Sequence, residues 1–199
     1  MRQKALVAVA ALVAVLLVGA PTAFATNLLT NGSFETGDLT GWIGGGAGGP
    51  PFVLSGPFYA YSGAEDGNFY TLWGQVGADG TLSQTFSDTA GQHYTFSFWF
   101  ASVGDNPSDF SASWDGTSVL SLTNPNTGAN WTEFSFSETG TGSDTISFAG
   151  HDDPAWMALD NVSVSPSGGT TPEPSSLLLL GSGLLTVGGV IRRKFQANR

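Results

Sequence analysis

Between residues 94 and 100 the chain alternates strictly. Tyr94, Phe96, Phe98 and Phe100 are separated by Thr95, Ser97 and Trp99. A period of two places the four aromatics on one face of a β-strand and leaves Trp99 on the opposite face. The same period recurs in Phe110, Ala112 and Trp114, in Phe134 and Phe136, and in Ile146 and Phe148. Runs at 69–73, 81–86, 119–122 and 156–164 predict further strands, the last closing the domain. Asp115 and Gly116 stand between two such runs and predict a hairpin turn. Turn signals about every ten residues, with about eight to ten strands, predict an all-β, two-sheet sandwich. Between 26 and 165 no helical period appears. The segment 41–51, GWIGGGAGGPP, predicts a surface loop and lacks the spacing of a phosphate-cradling loop.

Both ends break this pattern. At the start, Arg2 and Lys4 precede an apolar run over 5–19, followed by Pro21 and the small residues Ala23 and Ala25. This order predicts a secretory signal peptide over 1–25, cut by signal peptidase after Ala25. At the other end a polar linker, 165–171, leads to Pro172, Glu173 and Pro174, an apolar run at about 176–191, and then Arg192, Arg193 and Lys194 in a basic tail, 192–199. Fifteen apolar or small residues span about 22 Å as a helix, against about 30 Å of hydrocarbon. Snorkelling basic stems close that gap, so a single membrane-spanning helix is expected, with its basic end in the cytoplasm. The two prolines keep the segment before it extended, as a protease cleft requires.

The tail over 172–199 closely resembles the PEP-CTERM sorting signal of Gram-negative bacteria. Pro172-Glu173-Pro174, the short helix and Arg192-Arg193-Lys194 carry the resemblance. It implies processing by an exosortase, a transient membrane anchor at the inner membrane, and delivery to the cell surface or an extracellular, exopolysaccharide-rich matrix.

Charge sharpens the division into parts. All six Lys and Arg residues lie at the two ends, and all 16 Asp and Glu residues fall in the stretch 26–176, which contains no Lys or Arg. Nucleic acid is therefore excluded as a partner of the middle domain, because phosphates require cations. No cysteine is present, which removes thiol catalysis, thiolate metal sites and disulfides.

Two stretches frame the middle domain, 26–164. Its start reads NLLTNGSFETGDLTGW over 27–42, and its end reads LDNVSV over 159–164. Together they resemble the first and last strands of galactose-binding-like domains and carbohydrate-binding modules, which implies a jelly-roll β-sandwich. Neighbouring first and last strands would bring Glu35 near Asp160. In a domain without Lys or Arg, a hard cation would relieve their repulsion, and Ca²⁺ suits oxygen ligands. The resemblance likewise implies a structural Ca²⁺ here, with Asp66 and Asn68 on the candidate loop. The alternative is that both carboxylates are solvated or accept backbone N–H bonds.

Six tryptophans occupy this domain. Most are expected in the core. Trp99, opposite the aromatic stripe, is the first candidate for stacking on a sugar, and Trp73 the second. His151-Asp152-Asp153 reads as a turn before Pro154, with a second metal site or acid–base cluster as alternatives. No carboxylate pair or Ser/His/Asp order marks a catalytic centre. The expected function is that of a non-catalytic surface or matrix protein associated with exopolysaccharide. A carbohydrate-binding module with a defined pocket and a small glycan-active enzyme are the alternatives.

Overall fold

The computed structural model describes residues 26–167. The expected signal peptide, with Ala23 and Ala25, lies outside the described residues. So does the expected sorting tail, with Pro172, Glu173, Pro174, the apolar run, Arg192, Arg193 and Lys194. Among the described residues there is no helix, and ten strands form two antiparallel sheets.

The first sheet orders β1 (Ile43–Gly45), β4 (Gly80–Ser87), β9 (Ser143–Asp152), β6 (Ser108–Trp114) and β7 (Thr117–Thr123). The second orders β2 (Phe52–Ser55), β3 (Phe69–Trp73), β10 (Met157–Pro166), β5 (His93–Ser102) and β8 (Thr132–Thr139). From β3 onward the chain changes sheet at every step except the β6–β7 hairpin, which is the winding of a jelly roll. That hairpin turns on Asp115 and Gly116, both at positive φ (47° and 75°), as a tight two-residue turn requires.

The core forms between the sheets from the alternating positions. Phe96, Phe98 and Phe100 of β5 meet Phe110, Ala112 and Trp114 of β6 and Ile146 and Phe148 of β9. Phe98 sits 5.0 Å from Phe148, edge to face, and Phe100 lies 4.4 Å from Phe110. Each buried aromatic side chain contributes about 1.5–3 kcal/mol through burial, and aromatic pairing adds about 0.5–1.5 kcal/mol.

Four expectations change. The segment 41–51 is not a bare loop, since it contains β1, whose Ile43 and Gly45 pair with Ser83 and Thr81. Backbone ladders hold an edge strand that has no side-chain period to announce it. The start of the domain, 27–42, is not a strand but a series of turns, with positive φ at Asn31, Phe34 and Gly37. It still adjoins β10, because Leu28 N–H donates to Val164 O (2.8 Å) and Val162 N–H to Gly32 O (2.9 Å). The linker cannot begin at 165: β10 runs to Pro166, and Ser167 N–H donates to His93 O (2.9 Å). His151 and Asp152 belong to β9 rather than a turn.

Candidate functional site on the outer face of the second sheet

The outward positions of β10, β5 and β8 align across the second sheet. Thr95 is flanked by Ser165 and Ser137, and Ser97 by Ser163 and Ser135. One step further along, Trp99 is flanked by Asp160 and Glu133. The inward residues of the same strands are the core aromatics, so this row of short hydroxyls faces away from the core. Trp99 is half-buried within it.

One end of this face is covered by the segment 56–66. Tyr61, Phe58 and Ala64 pack there against Tyr70, Leu72, Ala101 and Ala158, with Trp131 and Trp156 beside them. Tyr61 Oη donates to the Trp156 carbonyl, with Ala101 O at 3.4 Å, and Trp131 Nε1 donates to Gly63 O (3.2 Å). Burial drives the Tyr61 hydroxyl well above its ordinary range, so it remains a donor. The Trp156 ring lies on Gly74, where any Cβ would fall 2.1 Å from it. Phe52 and Phe58 meet the same ring edge to face at 5.3 and 5.4 Å. No sequence pattern singles out Trp131, and Gly74 beside a strand end is the only trace of Trp156.

One carboxylate fastens the end of the covering segment, and a second fastens the residues that follow it. Asp160 is fully buried. Its Oδ2 accepts the N–H groups of Glu65 (2.8 Å) and Asp66 (3.0 Å), and its Oδ1 that of Asn161 (2.6 Å). Burial lifts its pKa to about 7, against the pull of these N–H bonds. Glu35 Oε1 accepts the N–H groups of Asn68 (2.7 Å) and Phe69 (2.8 Å). The Phe69 N–H bond is the largest influence on Glu35 and helps hold its pKa below the ordinary range. Between the two anchors Gly67 adopts φ +69°, and a Cβ there would lie 2.3 Å from Glu35 Cδ. Both the backbone and the close approach therefore require glycine.

Glu35, Asp160, Asp66 and Asn68 do converge on one loop, 65–69. What the loop offers the two carboxylates is N–H hydrogen, including the Asn68 amide at 3.4 Å from Glu35 Oε2. A Ca²⁺ ion needs six to eight oxygens. These residues, as arranged, do not fit that ion.

Trp73 is corrected as a sugar-facing candidate. It is fully buried, edge to face with Phe110 at 5.8 Å. Both faces of β3 are covered, the inner by the first sheet and the outer by the segment 56–66, so its chain neighbours give no sign of which aromatic is exposed.

Residues 170–194 match the PEP-CTERM protein-sorting motif. The chain carries a PEP-CTERM sorting signal. That signal implies an exosortase substrate. Among curated proteins no sequence matches the chain. Solved structures do resemble it in fold. TmCBM61 in complex with β-1,4-galactotriose is 18% identical with a TM-score of 0.58, over 71% of this chain and 99% of that one. The C-terminal family 22 carbohydrate-binding module of Clostridium thermocellum Xyn10B is 16% identical with a TM-score of 0.51, over 75% and 98%. A cyclase from Fischerella sp. TAU is 17% identical with a TM-score of 0.50, over 72% and 100%. The β-sandwich is thus one that carbohydrate-binding modules use, and it serves a catalyst as well. Fold alone does not choose between binding and chemistry.

Proposed function

We propose that this protein is a non-catalytic, exosortase-sorted surface protein whose domain binds a neutral or matrix polysaccharide on the outer face of the second sheet. The observation that carries the reading is Trp99, half-buried in a row of serine and threonine hydroxyls and flanked by Glu133. A flat aromatic ring receives the apolar face of a sugar, and the hydroxyls and carboxylate receive its hydroxyl groups. The β-sandwich resemblance to carbohydrate-binding modules supports the same reading. Catalysis by the carboxylates flanking Trp99 is disfavoured by their state. Asp160 is fully buried and both its oxygens already accept N–H bonds, so it has no access to a glycosidic oxygen. After processing at Pro172-Glu173-Pro174 in a Gram-negative cell, the domain would remain at the surface or in the exopolysaccharide matrix.

The test is calorimetric titration of the full chain in detergent with β-1,4-linked galacto- and xylo-oligosaccharides and with the producing cell's own exopolysaccharide. Binding to at least one is expected, weakened about tenfold or more in W99A, with no release of reducing ends. Absence of binding to all of them, or full affinity in W99A, overturns the reading. Reducing ends that disappear in E133Q would establish the glycan-active alternative.

A further inference from the structure

On the outer face of the first sheet, three adjacent strands bring together a second group that the sugar-binding reading does not use. His151 lies on β9, the middle of the three. Its register partner on β6 is Asp109, and Asp79 immediately precedes Gly80 of β4, which pairs with Gly150. His151 Nδ1 is 2.9 Å from Asp79 Oδ1 and 3.3 Å from Asp109 Oδ1. All three ligand atoms lie within 4.8 Å of one another.

We propose that Asp79, Asp109 and His151 bind a divalent transition-metal ion of the zinc type. The two spacings to His151 Nδ1 are close to those of ligands about a small tetrahedral ion. Bonds of about 2.0–2.1 Å at tetrahedral angles place ligand atoms about 3.3 Å apart. One imidazole nitrogen with two carboxylate oxygens is a borderline set, which favours Zn²⁺ over the all-oxygen preference of Ca²⁺ or Mg²⁺. Three protein ligands leave a fourth position for water or for an oxygen of a bound molecule.

Two further observations favour an ion over a self-contained ion pair. A protonated His151 neutralises only one of its two carboxylates, and no Lys or Arg exists among the described residues to neutralise the other. A divalent ion on neutral imidazole balances both. The site is also open and firmly based. The side chains of Asp79 and Asp109 are 46% and 45% exposed and that of His151 18%, so an ion can enter. Each ligand stands in or directly beside a paired strand, so little backbone movement is needed to close the set. The sequence order groups His151 with Asp152 and Asp153, its chain neighbours. Asp152 points to the opposite face of β9 and is fully buried, and the partners come instead from 72 and 42 residues away along the chain.

Isothermal titration of the full chain in detergent with ZnCl₂ tests the site, with Co²⁺ absorption as a second readout. One saturable Zn²⁺ per chain and a tetrahedral Co²⁺ spectrum are expected. In H151A and in the double variant D79N/D109N, affinity is expected to fall about tenfold or more, while H93A, which removes the other histidine, retains it. Tryptophan-fluorescence melting curves separate loss of the site from loss of the fold. If any variant unfolds, Zn²⁺ protection of His151 from diethyl pyrocarbonate in the unaltered protein tests the same ligand without a substitution. No saturable uptake, uptake unchanged in folded H151A, or unprotected His151 overturns the proposal.

Discussion

The two outer faces of this sandwich are made of the same material. Thr81, Ser83 and Thr85 of β4 stand beside Ala149, Ser147 and Thr145 of β9, just as Thr95 and Ser97 of β5 stand beside Ser137 and Ser135 of β8. Each face is a flat ladder of small, largely hydroxylated side chains backed by one shared aromatic core. They differ in what interrupts the ladder. On the second sheet it is Trp99 between two carboxylates, beside an aromatic cluster held down by the segment 56–66. On the first it is His151 between two carboxylates that are each nearly half exposed. A core of this kind tolerates many outer surfaces, so a single outward side chain decides whether a face offers a ring or a nitrogen ligand.

The largest effect should come from Trp73, which belongs to the shared interior rather than to either face. W73A is expected to destabilise the domain by about 3–5 kcal/mol in urea unfolding, whereas W99A changes stability far less. Similar losses for the two would erase the distinction between a core and a surface tryptophan.

Asp160 comes next, because it fastens the covering segment to the second sheet. D160A leaves three N–H donors without their acceptor and should lower stability by about 2–4 kcal/mol. Hydrogen exchange at Glu65 and Asp66 should accelerate more than exchange in β4 or β9. Uniform acceleration throughout both sheets would mean that the loop is not a separate attachment.

A third effect is set by pH. Asp152 is fully buried with neither oxygen hydrogen-bonded, and burial lifts its pKa to about 6. The unfolded value is about 3.9. The folded chain therefore holds the extra proton between those values, and stability falls as pH rises across that window. Asp160, at about 7, and Asp88, at about 6, act with the same sign, while Glu35 acts with the opposite one. Calorimetry should find a higher Tm at pH 5 than at pH 8. D152N, which mimics the protonated carboxyl, should gain on the order of 1–3 kcal/mol at pH 8. A destabilised D152N with an unchanged pH slope would show that this carboxylate has a partner.

Calcium should matter least. With Glu35 and Asp160 occupied by N–H donors, millimolar Ca²⁺ or a chelator is expected to move Tm by less than about 2 °C. E35Q should lower stability by about 1–2 kcal/mol, through weaker acceptance from Asn68 and Phe69. A Ca²⁺-dependent rise larger than the effect of E35Q would restore the cation to this loop.

How legible each part is depends on whether its signal is local. The β5 stripe can be read from seven residues because a strand's period is set by its own backbone. β1 and the end of β10 escape such a reading because hydrogen bonds to a neighbouring strand hold them, and neither Ile-Gly-Gly nor Ser-Pro carries a side-chain period. Glu35 and Asp160 are correctly brought to one loop by the resemblance of the domain's two ends to a known pair. The hydrogens that face them belong to the backbone of 65–69, which a sequence of side chains does not display. Trp73 and Trp99 look alike for a related reason: each sits in an aromatic strand, and only the covering segment 56–66 and the opposing sheet determine which faces water.

By itself, then, the sequence established the C-terminal sorting signal and the architecture: a Pro-Glu-Pro motif with an apolar run and a basic end, and alternation that demands a two-sided β core. Those are properties of residue type and short-range order. Which residues meet across the sheets was settled only by tertiary structure. Strand register joins His151 to Asp79 and Asp109 rather than to its chain neighbours, and it sets Trp99 among hydroxyls. Register is fixed by burial of whole faces at once, an energy that no single segment possesses before the two sheets close.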